Sequence, residues 1–124
     1  MLGDHDVAAT LAVTDIDAAR SFYGGTLGLK HVMELPDFVV YSAGNSRLMV
    51  YRSDFAGTNR ATGATWAVGD ELESIVQDLR SRGVAFEHYD LPDTTRDGDI
   101  HEMGGMRGVW FKDPSGNIIG LVNQ

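Results

Sequence analysis

Four histidines and no cysteine set the catalytic chemistry open to this chain. His5 precedes the first strand-like run, His31 and His88 sit inside later ones, and His101 is followed directly by Glu102. Imidazole titrates near neutrality and ligates metal ions, so His101 and Glu102, with His5, are the candidates for acid-base or metal chemistry. Neighbours along an extended strand point to opposite faces, which works against the His101-Glu102 pair acting together. The missing cysteines exclude disulfides, thiolate catalysis and thiolate metal sites. No Ser/His/Asp pattern supports nucleophilic catalysis, and Gly104-Gly105 lacks the strand-to-helix setting of a phosphate-binding loop.

Charge narrows the partners. Ten Lys+Arg against 18 Asp+Glu give a formal net charge of -8, which repels phosphate backbones and anionic lipid. No nucleic acid and no membrane are therefore expected, and a small molecule is the expected partner. At 124 residues and 43% hydrophobic, the chain suits one domain with a single core. No apolar run approaches the roughly 18 residues of a membrane span, and Met1-Leu2-Gly3-Asp4-His5 lacks the regions of a signal peptide. A soluble cytoplasmic protein is the expectation.

The elements that must position any site are written twice. Val13-Thr14-Asp15, a helix-like stretch and Gly28-Leu29 are answered 55 residues later by Val68-Gly69-Asp70, a second helix-like stretch and Gly83-Val84. Such a period means one supersecondary unit used twice. Alternation predicts a strand over 7–13, Asp15 caps the first helix, and Gly28 ends it. Strands follow at 29–35, 38–43 and 47–52, separated by Pro36-Asp37 and Gly44-Asn45. In the second copy Leu72, Ile75, Val76 and Leu79 fall at helical spacing, Gly83 stops the helix, and strands are predicted at about 84–90, 108–112 and 118–123. Each copy reads β-α-β-β-β, module one spanning about 7–53 and module two about 63–124 of a single domain. Residues 92–107 read as a long surface loop, with a lid as the functional alternative.

These elements carry a resemblance. Val13 to Tyr23 with Leu27-Gly28-Leu29, and Phe111-Lys112-Asp113-Pro114-Ser115-Gly116-Asn117-Ile118-Ile119, resemble the opening and closing signatures of the vicinal oxygen chelate superfamily. That superfamily includes glyoxalases, extradiol dioxygenases, methylmalonyl-CoA epimerases and bleomycin-resistance proteins. The resemblance implies an α+β fold of two tandem β-α-β-β-β modules forming a curved mixed sheet around a cavity, and a homodimer. It leaves the chemistry open, because the fold hosts several activities and binding without reaction.

Enzymes of that superfamily hold a divalent metal with side chains from four strands, and the resemblance places those positions here at Ala8, Met49, Gly63 and Gly120. None of the four can supply the usual ligand chemistry. Same-face shifts of two residues give Asp6 or Thr10, Arg47 or Tyr51, Ala61 or Thr65, and Ile118 or Val122; among these only Asp6 could ligate. A stable site needs about three protein ligands. No metal and no other cofactor is expected.

The cavity that the resemblance implies would be lined by small residues of both first strands: Ala8, Thr10 and Ala12, then Gly63, Thr65 and Ala67. Phe38, Arg47, Met49, Tyr51 and Trp110 add apolar, aromatic and cationic groups from the other strands, a mixture that suits a ligand pocket. The structural alternative makes Trp110 and Met49 core and Arg47 a strand-end charge. The set Thr10, Phe38, Arg47, Met49, Tyr51, Thr65 and Trp110 is expected to hold a drug or metabolite, with no metal and no assigned catalytic residue. The alternatives are a metal-free isomerase or lyase, a metal enzyme with ligands moved into 92–107, and an interaction module with no small ligand.

Overall fold

The computed structural model describes residues 1–124. Strand β1 (Ala9–Val13) buries Leu11 and Val13 on one face and leaves Thr10 exposed on the other. Asp15 then starts α1 (Ile16–Ala19), its Oδ1 accepting the Asp17 and Ala18 N–H groups at 3.0 and 3.1 Å. Over Arg20–Thr26 the helix widens into π turns, and Leu27 N–H reaches back to the Phe22 carbonyl at 2.8 Å. The paired glycines Gly24-Gly25 favour α-helix poorly. Gly28, at φ +72°, ends the element where most side chains would be strained.

Three antiparallel strands complete the first module: β2 (Lys30–Leu35), β3 (Phe38–Ala43) and β4 (Ser46–Arg52). Their sheet has the order β1-β4-β3-β2, with β1 parallel to β4. The second module begins with β5 (Thr62–Ala67) and α2 (Leu72–Ser81), in which Leu72, Val76 and Leu79 are buried. Each of those burials contributes about 1.5–3 kcal/mol. Strands β6 (Thr95–Asp97), β7 (Ile100–Met103), β8 (Met106–Lys112) and β9 (Ile118–Val122) follow, in a sheet ordered β5-β9-β8-β7-β6 with β5 parallel to β9. Apart from the added edge strand β6, the two sheets have one topology.

The second module reaches that topology by a route the sequence reading missed. Residues 84–90, expected as a strand, form no ladder: their backbone meets β8 through an isolated bridge from Phe86 to Phe111 and a bond from Glu87 N–H to the Trp110 carbonyl. Residues 92–107, expected as a loop, instead contain β6, β7 and the start of β8. A two-residue turn explains the exchange. Gly104 and Gly105 both have positive φ, 56° and 92°, the geometry of a tight hairpin turn, so β7 closes onto β8 locally and takes the ladder positions.

A single core of 15 buried apolar residues draws on both modules, from Leu11 and Val50 to Leu79, Phe111 and Leu121. At the seam, a Cβ on Gly63 would stand 2.8 Å from Leu11 Cδ2, so a side chain there would push the Leu11 tip aside where β5 meets β1. Across the same seam Ser115 Oγ accepts Thr14 N–H at 2.9 Å and Asn117 Nδ2 donates to the Ala12 carbonyl at 2.7 Å. Asp113, 5% exposed, holds that turn in shape. Its Oδ1 accepts the Ser115 and Asn117 N–H groups, and its Oδ2 accepts Asn117 Nδ2 and, at 2.6 Å, the Tyr23 hydroxyl. Burial, then the neighbouring Asp113 charge, pushes the Tyr23 hydroxyl well above the usual tyrosine range, which keeps it a donor.

Every partner of Asp113 is a donor, so an amide in its place sets N–H against N–H. Asp113→Asn should cost about 3 kcal/mol and Tyr23→Phe about 1–2 kcal/mol in urea unfolding. A loss below about 0.5 kcal/mol for both would mean that the seam does not depend on this carboxylate.

Candidate functional site

Register decides which expected site residues share a surface. In the first sheet Thr10 faces Met49 and Met49 faces Val40; the next row is Ala12, Tyr51, Phe38 and Leu35. In the second sheet Thr65 faces Gly120 and Gly120 faces Trp110; the next row is Ala67, Val122, Gly108 and His101. Directly opposed residues lie on the same face. Thr10, Phe38, Met49 and Tyr51 therefore share the face turned away from the buried Leu11, Val39, Leu48 and Val50, and Thr65 and Trp110 hold the corresponding face of the second sheet. Arg47, opposite Ser42, is on the first of these faces at its hairpin end.

Five of the seven expected residues divide among three clefts. Thr10 and Tyr51 line one of about 330 Å³ together with Phe55 and Asn59 of the connection between modules. Trp110 lines a second of about 340 Å³ with Arg60, Tyr89 and Leu91. Arg47 and Thr65 line a third of about 330 Å³ with Ala9 and Ala64 of the two first strands. Phe38 and Met49 are half-buried on the sheet face, and Tyr51 is 39% exposed. Volumes of this size fall at the lower end of small-molecule sites.

The positions at which the resemblance implies metal ligands correspond as repeat partners. Met49 faces Thr10 as Gly120 faces Thr65, and Ala8 and Gly63 lie two residues before those threonines. Nothing there but the Met49 thioether could touch an ion, and a soft neutral sulfur alone does not hold a hard divalent cation. No three His, Asp or Glu side chains in the chain form a group that could hold a metal. The residues do not fit such an ion. Moreover, a Cβ on Gly120 would meet Thr65 Oγ1 and Trp110 Nε1 at 3.3 Å each, so the indole stands where a ligand side chain would need room.

The histidines fall differently from the sequence reading. His101 lies in β7 rather than a loop and is 0% exposed, while Glu102 on the other face is exposed. Tyr89 N–H donates to His101 Nε2 at 3.0 Å, and the imidazole packs edge-on to Trp110 with centroids 4.9 Å apart. Tyr89 in turn meets Trp110 at 5.5 Å. Burial, reinforced by Glu87, raises the Tyr89 hydroxyl above its ordinary value. Sequence reasoning passed over Tyr89 because its segment read as an ordinary strand; the signals that could have exposed this cluster were the hairpin turns Asp97-Gly98 and Gly104-Gly105.

His88 serves as a clasp. Its Nε2 lies 2.7 Å from Asp99 Oδ1, and Asp99 Oδ2 accepts from Arg80 of α2, which ties the hairpin end to the helix. Hydrogen bonds from Arg80, then His88, hold the Asp99 carboxyl below the usual carboxylate range.

The fold and its faces define a class: a two-module α+β protein with repeated sheets, one shared core and cleft-bearing outer faces. Residues 6–121 match the Glyoxalase/Bleomycin resistance protein/Dioxygenase superfamily, and the chain belongs to that family. No curated protein sequence matches it. Among solved structures it is similar to a lactoylglutathione lyase from Agrobacterium tumefaciens, at 20% identity and TM-score 0.71 over 95% of this chain and 92% of that one. A glyoxalase/bleomycin resistance protein/dioxygenase from Alicyclobacillus acidocaldarius gives 20% identity and TM-score 0.72 over 96% and 90%. TnmS3, an antibiotic binding protein from Streptomyces sp. CB03234, gives 22% identity and TM-score 0.66 over 94% and 93%. Likeness at this identity establishes the shared fold. No helix is long and apolar enough to cross a membrane.

Two measurements check the site. Gly120→His should fail to bind Zn²⁺ or Ni²⁺ stoichiometrically and should lose about 1–3 kcal/mol through overpacking against Trp110; tight metal uptake by this variant would overturn the ligand argument. For Asp99, a depressed folded pKa means its stabilisation is complete above the unfolded value of about 3.9 and fades as pH falls through the lower folded value. The stability gap between wild type and Asp99→Asn should therefore shrink as pH falls below about 4 in urea titrations.

Proposed function

We propose that this chain is a small-molecule binding protein that works without a metal ion, sequestering a drug or metabolite on the sheet faces turned away from the helices. The observation that carries the reading is the pair of matched rows, Thr10-Met49-Val40 and Thr65-Gly120-Trp110, which present apolar and aromatic surface at the metal-ligand positions that the resemblance implies. Affinity comes from burying an apolar guest against Met49, Phe38, Tyr51 and Trp110, while Thr10 and Thr65 offer hydroxyls and Arg47 a cation that orient it. That the antibiotic binding protein TnmS3 has this fold supports the reading.

The binding unit we propose is a homodimer. Val32, Met33 and Leu35 on edge strand β2 are about half exposed, and a second copy would cover them together with the open sheet faces. Its proposed setting is the cytoplasm, where a chain without cysteine loses nothing for want of disulfides.

A thermal-shift panel of aromatic, glycopeptide and thioether-rich compounds tests the function. A true ligand at 100 times its dissociation constant adds about 2.7 kcal/mol, and Trp110→Ala should weaken it by at least about tenfold. Silence across the panel, or turnover that collapses on chelation, would count against the proposal. Sedimentation equilibrium checks the dimer, a monomer at micromolar concentration being the contrary result.

A further inference from the structure

Behind the Trp110 cleft lie two polar groups with no partner. His101 Nδ1 and the Tyr89 hydroxyl are both buried and make no hydrogen bond. The other ring nitrogen is occupied, since Tyr89 N–H donates to His101 Nε2. A nitrogen that accepts carries no proton, so the proton of this neutral imidazole sits on Nδ1; an imidazolium would set N–H against N–H. His101 is thus a buried donor with no acceptor. The Tyr89 hydroxyl, kept protonated by burial, is a second. Its edge-on packing with Trp110 gives the imidazole at most a weak substitute for a conventional acceptor.

The surroundings describe what would satisfy them. Trp110 and Tyr89 both line the cleft of about 340 Å³, with Leu91 and Ile118 as apolar walls. Gly108 and Gly120, the residues facing His101 and Trp110 across the sheet, add no bulk. Tyr89 belongs to the 84–91 segment, which is held by the Phe86 bridge, the Glu87 N–H, the His88–Asp99 pair and Tyr89's own N–H to His101 rather than along a ladder, so its side chain is freer to move than those of β8. Turning its ring, which no hydrogen bond holds, would open the cleft onto His101.

We propose that Trp110, Tyr89 and His101 form the specificity-determining end of the ligand site, selecting an uncharged planar molecule whose carbonyl-type oxygen accepts from His101 Nδ1 and the Tyr89 hydroxyl. This rests on the small-molecule binding proposed above and names the class of guest. The flat part of the guest stacks on Trp110, and its oxygen supplies the acceptor that the folded chain lacks. The neutral donors and the net charge of -8 favour an uncharged guest over a carboxylate.

The test compares 9-fluorenone with fluorene, which share a ring frame and differ in the carbonyl, by equilibrium dialysis against the full chain. Wild type should prefer the ketone by about tenfold, the size of one to two neutral hydrogen bonds. Tyr89→Phe and His101→Leu should each reduce the preference, and His101→Gln, which keeps a donor amide, should retain more of it than His101→Leu. Equal affinities in wild type, or a preference that survives both Tyr89→Phe and His101→Leu, overturn the inference but leave small-molecule binding standing. Failure of both compounds to bind also overturns it, and the broader panel then judges the function separately. The wild-type comparison needs no variant, so a poorly folding His101→Leu leaves the question decidable.

Discussion

The Asp113 carboxylate accepts four hydrogen bonds, three from its own turn and one from Tyr23 of the other module. The turn it shapes carries Ser115 and Asn117 to Thr14 and Ala12, so one charged group sets both the end of the last hairpin and the contact between first strands. Burying a carboxylate is costly unless donors surround it, and here all four partners are donors. Because β1 and β5 meet at this seam, the relative placement of the two sheet faces depends on it. Gly63 adds a steric condition at the same seam by admitting Leu11 close to the backbone of β5.

Duplication built the two faces, and substitution made them unlike. Val40 and Met49 in the first sheet answer to Trp110 and Gly120 in the second. The large residue has moved from one strand to its neighbour, and the glycine beneath it is what gives the indole its space. The four positions implied for metal ligands lack ligating groups: Ala8, Gly63 and Gly120 carry no donor side chain, and Met49 offers only a thioether; at Gly63 and Gly120 a side chain would also crowd Leu11 and Trp110. A similar difference separates Leu35, exposed at the open edge of the first sheet, from its counterpart His101, which Tyr89 covers.

Much of this was legible in the chain itself. The 55-residue echo gave the two modules, Asp15 gave its cap, Phe38–Ala43 emerged as a strand with the expected bounds, and Gly28 and Gly83 ended their helices with positive φ. That Thr10, Phe38, Met49, Tyr51, Thr65 and Trp110 lie on the sheet faces opposite the core followed from alternation once the strands were right, because a strand's side-chain period is fixed by its backbone. The 84–107 region failed for a physical reason. Two stretches competed for one ladder position beside β8, and periodicity cannot say which wins; the short Gly104-Gly105 turn closes at lower entropic cost than the longer excursion through 84–91.

Sequence alone determined the repeat, the strand faces, the acidic balance and the absence of ligating side chains at the four repeat-related positions, because each is a property of residue type and local spacing. Tertiary structure alone decided that Asp113 bonds Tyr23, that five of the seven expected site residues divide among three clefts, and that His101 lies buried beneath Tyr89 with one nitrogen unpartnered. Those facts join residues far apart in the chain, and which distant groups meet is fixed by how the two sheets share one core, not by any local period.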